Sequence, residues 1–313
     1  MNIRKNIVSF LVGFGAITLL AIIFLVPVLF LLGVANSMSE GCVAEVEITG
    51  EITTDELPAS IFSEGIAGSK TIAKTIRSLD DRPDVKGVIF VINSPGGGVV
   101  ASKEIYEAVE DLEKPKVAYF REVAASGGYH IATPTDWIVS EPGALTGNVG
   151  ARMELIQVVG LMDMLGINTT TFKSGENKDM GSAFRDLTDE EKIILESIVN
   201  ESFEDFKMSV IRDRGTKLRN TDEIFDGRIM SGRQAYEYGL VDEIGNRQKA
   251  IAKAGELSGL GEDPKICKIS LTSSMGEGGL FMEFVMRFAE GIGYGFSRGL
   301  QENKVKSVKL SYE

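Results

Sequence analysis

Apolar runs and periodic stretches divide the chain into segments of different character. From Ile7 to Ala35 no residue is charged, and most side chains are Leu, Ile, Val, Phe or Ala. That run exceeds the about 20 residues a helix needs to cross a bilayer, and a membrane helix tolerates Pro27. Val43-Ala-Glu-Val-Glu-Ile-Thr alternates apolar and polar and predicts a strand. Helical spacing follows over Lys70–Ser78. The run Val85–Ile92 predicts a buried strand that stops at Asn93-Ser-Pro-Gly-Gly-Gly. A helix over 102–112 and a short strand over Val117–Phe120 come next. Strand, glycine loop, helix, strand is the order of an α/β fold whose helices cross over a sheet.

Beyond this, Trp137–Ser140 reads as a strand that ends in the turn Glu141-Pro-Gly, and Thr169–Phe172 is strand-like. A long helix begins after Leu187 and runs to about Ile211, with Thr188 and Glu191 as its capping box. Ser231 caps a short helix that reaches Tyr238. After Cys267, the positions Phe281, Phe284, Val285, Phe288 and Ile292 recur at helical spacing. This amphipathic segment is expected to pack on its own domain or on a partner subunit. Its polar face carries Glu283 and Glu290 beside Arg287, so it lacks the basic face of a membrane-surface helix. The layout is therefore an N-terminus and anchor over 1–38, a main domain over 39–266, and a tail over 267–313. No repeat of the 20–50 residue kind is visible.

Charge orients the anchor. Arg4 and Lys5 precede the apolar run, while Glu40, Glu45, Glu47 and Glu51 follow it. The positive-inside rule keeps the short N-terminus in the cytoplasm and exports the rest. A cleaved signal peptide is the competing reading, since Ala35-Asn-Ser loosely resembles a cleavage site. Secretory apolar cores run only about 7–15 residues, which favours the retained anchor. A net charge of -12 argues against a nucleic-acid surface, which needs clustered Lys and Arg. Cys42 and Cys267 have neither metal-ligand nor redox spacing. The sequence leaves a disulfide between them open, and two free thiols are the simpler expectation.

Ser126 is the first candidate for chemistry. It lies among small residues in Ala124-Ala-Ser-Gly-Gly-Tyr, at the expected start of a helix. A serine there is sterically open, and the N–H groups that follow it are free. That arrangement suits a nucleophile beside an oxyanion hole, although serine at such a position is more often a helix cap. A nucleophile needs a base, and the chain holds one histidine, His130, one helical turn after Ser126. Triad partners normally converge from separate elements, so His130 is expected to be a surface or interface residue. Lysine is the remaining base type once burial lowers its pKa from about 10.4. Composition does not choose among the 33 Lys and Arg residues.

Taken together, Asn93-Ser-Pro-Gly-Gly-Gly, Ala124-Ala-Ser-Gly-Gly-Tyr and Lys173-Ser-Gly-x-x-Lys178-Asp-Met resemble segments of the bacterial signal peptide peptidase A family in its short, single-unit form. Asp226-Gly-Arg-x-x-Ser-Gly-Arg-Gln-Ala and Gly239-Leu-Val-Asp add to the likeness, which covers Val43 to Gly245. The resemblance implies a ClpP/crotonase-like fold, a spiral of β-β-α units. It implies Ser126 as nucleophile, Lys178 as general base, and backbone N–H groups of Gly97 and Gly127 as the oxyanion hole. Lys173 is then structural or substrate-facing. Where the family usually carries Thr-Gly-Ser, this chain has Thr146-Gly147-Asn148, so Thr146 and Asn148 become the candidates for orienting the lysine. An asparagine amide oxygen can accept from an ammonium. The implied substrates are cleaved signal peptides and similar membrane-derived peptides. No metal or cofactor is implied. Since each motif occurs once, the resemblance also implies a homo-oligomeric ring, with an octamer as one size, in which Ser126 meets Lys178 of a neighbour. Two other classes compete: a catalytically impaired scaffold or binding module, and a crotonase-like acyl-CoA enzyme.

Overall fold

The computed structural model describes residues 41–56, 67–219 and 221–271. The predicted anchor, the loop around Pro58 and the amphipathic tail segment lie outside the described residues. None of the described helices is long and apolar enough to cross a membrane.

Among the described residues, eight strands form one sheet. In chain order they are β1 (Cys42–Thr49), β2 (Val85–Ser94), β3 (Lys116–Ala125), β4 (Trp137–Ser140), β5 (Leu145–Gly147), β6 (Ile229–Ser231), β7 (Glu243–Ile244) and β8 (Ile266–Ile269). Their spatial order is β6-β5-β3-β2-β1-β8, with β4 attached to β3 and to β7. All pairings are parallel except that of β5 with β6. Helices α1 (Ser69–Arg77) and α2 (Val99–Asp111) supply the first crossovers, and the single turn α3 (Gly127–His130) follows β3. Further on come α4 (Val159–Leu165), a 3-10 turn (Glu176–Asp179), α5 (Asp189–Arg214), α6 (Thr221–Ile224), α7 (Gly232–Glu237) and α8 (Arg247–Leu257). The result is the mixed α/β architecture with a parallel sheet that the strand and helix alternation predicts.

Burial on both faces explains why the central strands read as nearly continuous apolar runs. Alternate residues separate onto the two faces. Val43, Ile89, Val91, Val117, Tyr119 and Val139 pack against Ala250, Ile251 and Ala254 of α8. Their neighbours Ala44, Val46, Val88, Phe90, Ile92, Ala118 and Phe120 face the other way, toward Ile72 and Ile76 of α1 and Ile105 and Val109 of α2.

β3 extends five residues past the expected end at Phe120. Arg121 and Glu122 break the apolar pattern, but the strand has a second partner there. Its first half pairs with β4, from Val117 with Trp137 to Phe120 with Ser140. Its last three residues pair with β5 instead, Val123 with Leu145 through Ala125 with Gly147. This fork carries the strand directly to Ser126.

Two expectations are corrected. Thr169–Phe172 is not a strand: no strand among the described residues runs beside it, and strand propensity without a partner does not hold a ladder. Phe172 is 94% exposed. Cys42 and Cys267 are not free thiols but a disulfide, with Cα atoms 5.9 Å apart. They meet because β8 lies parallel to β1, with Cys267 opposite Ala44, a return that the 225-residue separation conceals.

α5 has the predicted capping box, with Thr188 and Glu191 bonding reciprocally. Its C-terminal end is pinned by Arg214, fully buried, which makes a bidentate pair to Asp242 at 2.7 and 3.0 Å. Only Glu191, Phe206, Val210 and Arg214 of its 26 residues are buried, so most of its length projects from the core.

Candidate active site

Ser126 terminates β3 in a backbone conformation that few side chains adopt, with φ 53° and ψ −124°. A non-glycine residue held there costs on the order of 1–3 kcal/mol and persists only where its surroundings fix it. They do so here. Its N–H donates to the carbonyl of Gly147 at 3.0 Å, and its own carbonyl accepts from the N–H groups of Tyr129 and His130, each at 2.9 Å. The side chain faces a cavity of about 470 Å³ and takes no hydrogen-bond partner among the described residues.

The glycine loop after β2 meets this corner. At Gly96 (φ +98°) a Cβ would lie 2.6 Å from the Gly127 nitrogen and 2.9 Å from the Ser126 Cβ. At Gly97 it would lie 2.0 Å from the carbonyl oxygen of Ile52. Only glycine allows such approach. Ile52 bridges the loop, donating its N–H to Gly96 and accepting from Gly98, both at 2.9 Å. This pairing turns the intervening Gly97 N–H to the opposite side, where it has no acceptor among the described residues. The Gly127 N–H, at the first position of α3, has none either. Both glycines line the cavity beside Ser126. A nucleophile with two unoccupied backbone donors can attack a carbonyl and hold the oxyanion that forms.

The other predicted site residues lie elsewhere or are engaged. Thr146, fully buried, donates its hydroxyl to the Ala124 carbonyl at 2.7 Å. Asn148 (φ 54°) donates its side-chain amide to the Gly227 carbonyl at 2.6 Å and its backbone N–H to Arg228 at 2.8 Å. These bonds tie β5 to its flanks and so support the fork under Ser126. Lys178 sits on the exposed 3-10 turn, outside the residues that line the cavity, and its side chain has no partner among the described residues. Lys173 holds that turn, donating to the Glu176 carbonyl at 2.6 Å and pairing with Asp179 at 2.9 Å.

His130, expected at a surface or an interface, lies in the cavity wall between two aromatic rings. Its ring stacks on Tyr106 with centroids 4.5 Å apart and lies 4.6 Å from that of Phe206. Burial lowers its pKa to about 4, against an opposing pull from Asp213. It is therefore neutral near pH 7. Asp213 does not serve as its orienter, because that carboxylate accepts from the hydroxyls of Tyr106 at 2.9 Å and Thr133 at 2.7 Å. Val99, Tyr106, Phe206 and Met208 give the cavity apolar lining beside His130, and Lys103, Asp205 and Arg212 line it as well. Sequence reading missed Tyr106 and Phe206 because they sit on core-facing stripes of long helices and look like ordinary packing residues.

Fold and site define a class: a serine-type peptidase with a ClpP-like domain. The model of peptidase family S49 matches residues 108–261, and that of Clp protease matches residues 63–136. The chain is 37% identical over 263 residues to "Putative protease MJ0651" of Methanocaldococcus jannaschii, covering 83% of this chain and 82% of that protein. It is 32% identical to "Putative signal peptide peptidase SppA" of Enterococcus faecium over 67% of this chain and 61% of that one. "Protease 4" of Haemophilus influenzae is 29% identical over 73% of this chain, which spans only 37% of that longer protein. The chain belongs to peptidase family S49, in agreement with the resemblance carried by its three motifs.

Proposed function

We propose that this chain is a membrane-anchored serine endopeptidase that degrades cleaved signal peptides and similar membrane-derived peptides through Ser126 and Lys178. The observation that carries the proposal is the strained Ser126 in the lining of a cavity that also offers apolar side chains, flanked by the unoccupied N–H groups of Gly97 and Gly127. In this reading the Lys178 amine takes the Ser126 hydroxyl proton as Oγ attacks the scissile carbonyl. The two amides hold the oxyanion, and the lysine proton passes to the departing amine as the acyl-enzyme forms. Water, deprotonated by Lys178, then releases the acyl group and restores the serine. Apolar peptides suit the cavity wall.

Lys178 is proposed to come from a neighbouring copy. Its absence from the Ser126 cavity within one chain supports this, as do the exposed Met153, Ile156, Met164, Phe172 and Ile193 on the segments around it. A head-to-tail interface that closes gives a ring, an octamer being one size. The anchor would place the catalytic domain outside the cytoplasm, and the Cys42–Cys267 disulfide suits an oxidising compartment. One observation favours a second reading, an impaired scaffold: the Asn148 side chain is tied to the Gly227 carbonyl through its NH2 group, which fixes where its oxygen points.

Mixing decides between them. Ser126→Ala and Lys178→Ala chains, each inactive alone, are co-assembled and assayed on a fluorogenic peptide, with fluorophosphonate labelling of Ser126 in parallel. Random mixing leaves roughly a quarter of interfaces with both residues intact, so activity returns to about that fraction. Silence from a verified mixed ring removes the shared site. An unlabelled Ser126 in the parent protein favours the scaffold, and tight coenzyme A binding would redirect the assignment to acyl-CoA chemistry.

A further inference from the structure

The turn that carries Lys178 has no buried residue of its own, so apolar packing does not fix it. A polar clamp does. Arg185 donates Nε to Asp179 Oδ2 at 3.0 Å and Nη2 to Asp179 Oδ1 at 2.6 Å. Its Nη1 donates to Glu191 Oε2 at 2.8 Å and to the Asp186 carbonyl at 2.9 Å, and Nη2 also reaches Glu191 Oε1. All five guanidinium donors are thereby used. Glu191 is 1% exposed and is itself held in the capping box at the start of α5, accepting the Thr188 N–H at 2.9 Å. The residue next to Lys178 thus hangs, through one guanidinium, from the N-terminus of a 26-residue helix.

We infer that Arg185 is a positioning residue for Lys178, setting both the place and the electrostatic surroundings of the amine. The inference rests on the reading of Lys178 as the base. Two features support it beyond geometry. The clamp is charge-balanced: Lys173 and Arg185 face Asp179 and Glu191. The carboxylate beside Lys178 is therefore occupied and does not draw the lysine into an ion pair, which would hold it as ammonium. The clamp also persists where a lysine base works, because hydrogen bonds to Glu191 and Asp179 raise the Arg185 guanidinium above its already high ordinary value and keep it charged. Bidentate, partly buried pairs of this kind are stronger than isolated surface pairs. The charged groups on the turn are Glu176, Lys178 and Asp179; those on the segments that hold it are Lys173, Arg185, Asp186, Asp189, Glu190, Glu191 and Lys192.

The test uses the full chain in membranes, with a fluorogenic apolar peptide amide as probe. Arg185→Ala is expected to lower kcat about 30- to 100-fold, the scale of a small misplacement of a catalytic group. KM should stay within about twofold of the parent. Removing one positive charge leaves Asp179 and Glu191 in excess, so the activity–pH profile should move to higher pH. Added guanidinium ion should restore part of kcat. A structural role alone would produce neither the pH displacement nor the rescue. Should Arg185→Ala fail to fold, Arg185→Lys keeps the charge but loses the fork, and a roughly tenfold fall in kcat is expected. Parental kcat in Arg185→Lys, or a loss in Arg185→Ala confined to KM and melting temperature, overturns the inference. Lys178→Ala, measured alongside, separates the two claims. Full turnover there removes the base assignment and the Arg185 role with it. A dead Lys178→Ala beside a parental Arg185→Ala removes only the positioning role.

Discussion

Ser126 and Lys178 occupy opposite kinds of structure. Ser126 is held by backbone: β3 delivers it, β5 accepts its N–H, and glycines at 96, 97 and 127 pack so closely around it that no side chain fits. Lys178 lies in an exposed stretch without buried residues, fixed by side-chain ion pairs to the start of a helix. A backbone-built corner is rigid and intolerant of change in its frame, whereas a clamped turn keeps its shape through a few polar contacts and leaves its surroundings free to vary. The first holds its shape alone. The second would join Ser126 only in the proposed pairing with a neighbouring copy.

Glycine substitution gives the sharpest contrast. Gly97→Ala places a Cβ 2.0 Å from the Ile52 carbonyl and displaces the nearby donor, so kcat is expected to fall about 10²- to 10³-fold. At Gly175, beside Lys178, an added Cβ meets nothing within 4 Å and the backbone is already extended. Gly175→Ala should therefore keep its melting temperature and most of its activity. Equal tolerance at the two sites, measured by steady-state kinetics and thermal unfolding, would end the distinction.

His130 sharpens it on the serine side. Its folded pKa, about 4, lies below the ordinary 6.5, so the unfolded chain binds more protons between these values. Stability contributed by the neutral ring is present above pH 6.5 and is lost as pH falls toward 4, by about 1–3 kcal/mol. Denaturant titrations at pH 7 and pH 4.5 should show this fall, and His130→Gln should lack that share of it. An unchanged pH slope in the variant would place the ring in water. The smallest effect belongs to the lysine side. Thr188→Ala removes half of the capping box and should cost about 1 kcal/mol, read as a lowered melting temperature. An unchanged melting temperature would show that this helix start lies outside the cooperative unit.

Much of the serine corner was legible because its demands fall on residue type. Asn93-Ser-Pro-Gly-Gly-Gly and Ala124-Ala-Ser-Gly-Gly-Tyr interrupt apolar strand runs with residues that suit only turns and close approaches. The alternation of Val43–Thr49 and the Thr188/Glu191 spacing likewise report local geometry. What stayed hidden depends on distant partners. β3 continues through Arg121 and Glu122 because β5 arrives to pair with it. Thr169–Phe172, a better strand by propensity, finds no such partner among the described residues. His130, expected at a surface or an interface, stacks between Tyr106 and Phe206, which come from two other helices. Arg185 is one arginine in a polar stretch, and nothing in its neighbours announces that its guanidinium joins two carboxylates.

The disulfide between β1 and β8 has a mechanical consequence. It holds the Cα atoms of Cys42 and Cys267 5.9 Å apart, at the start of β1 and within β8. Tension applied through the two chain ends would run across that covalent link and bypass the 225-residue path between them. The Ser126 corner, which lies within that path, would be shielded from most of the pull, while Lys268 and Ile269 beyond the link would still load β1 through their pairing with it.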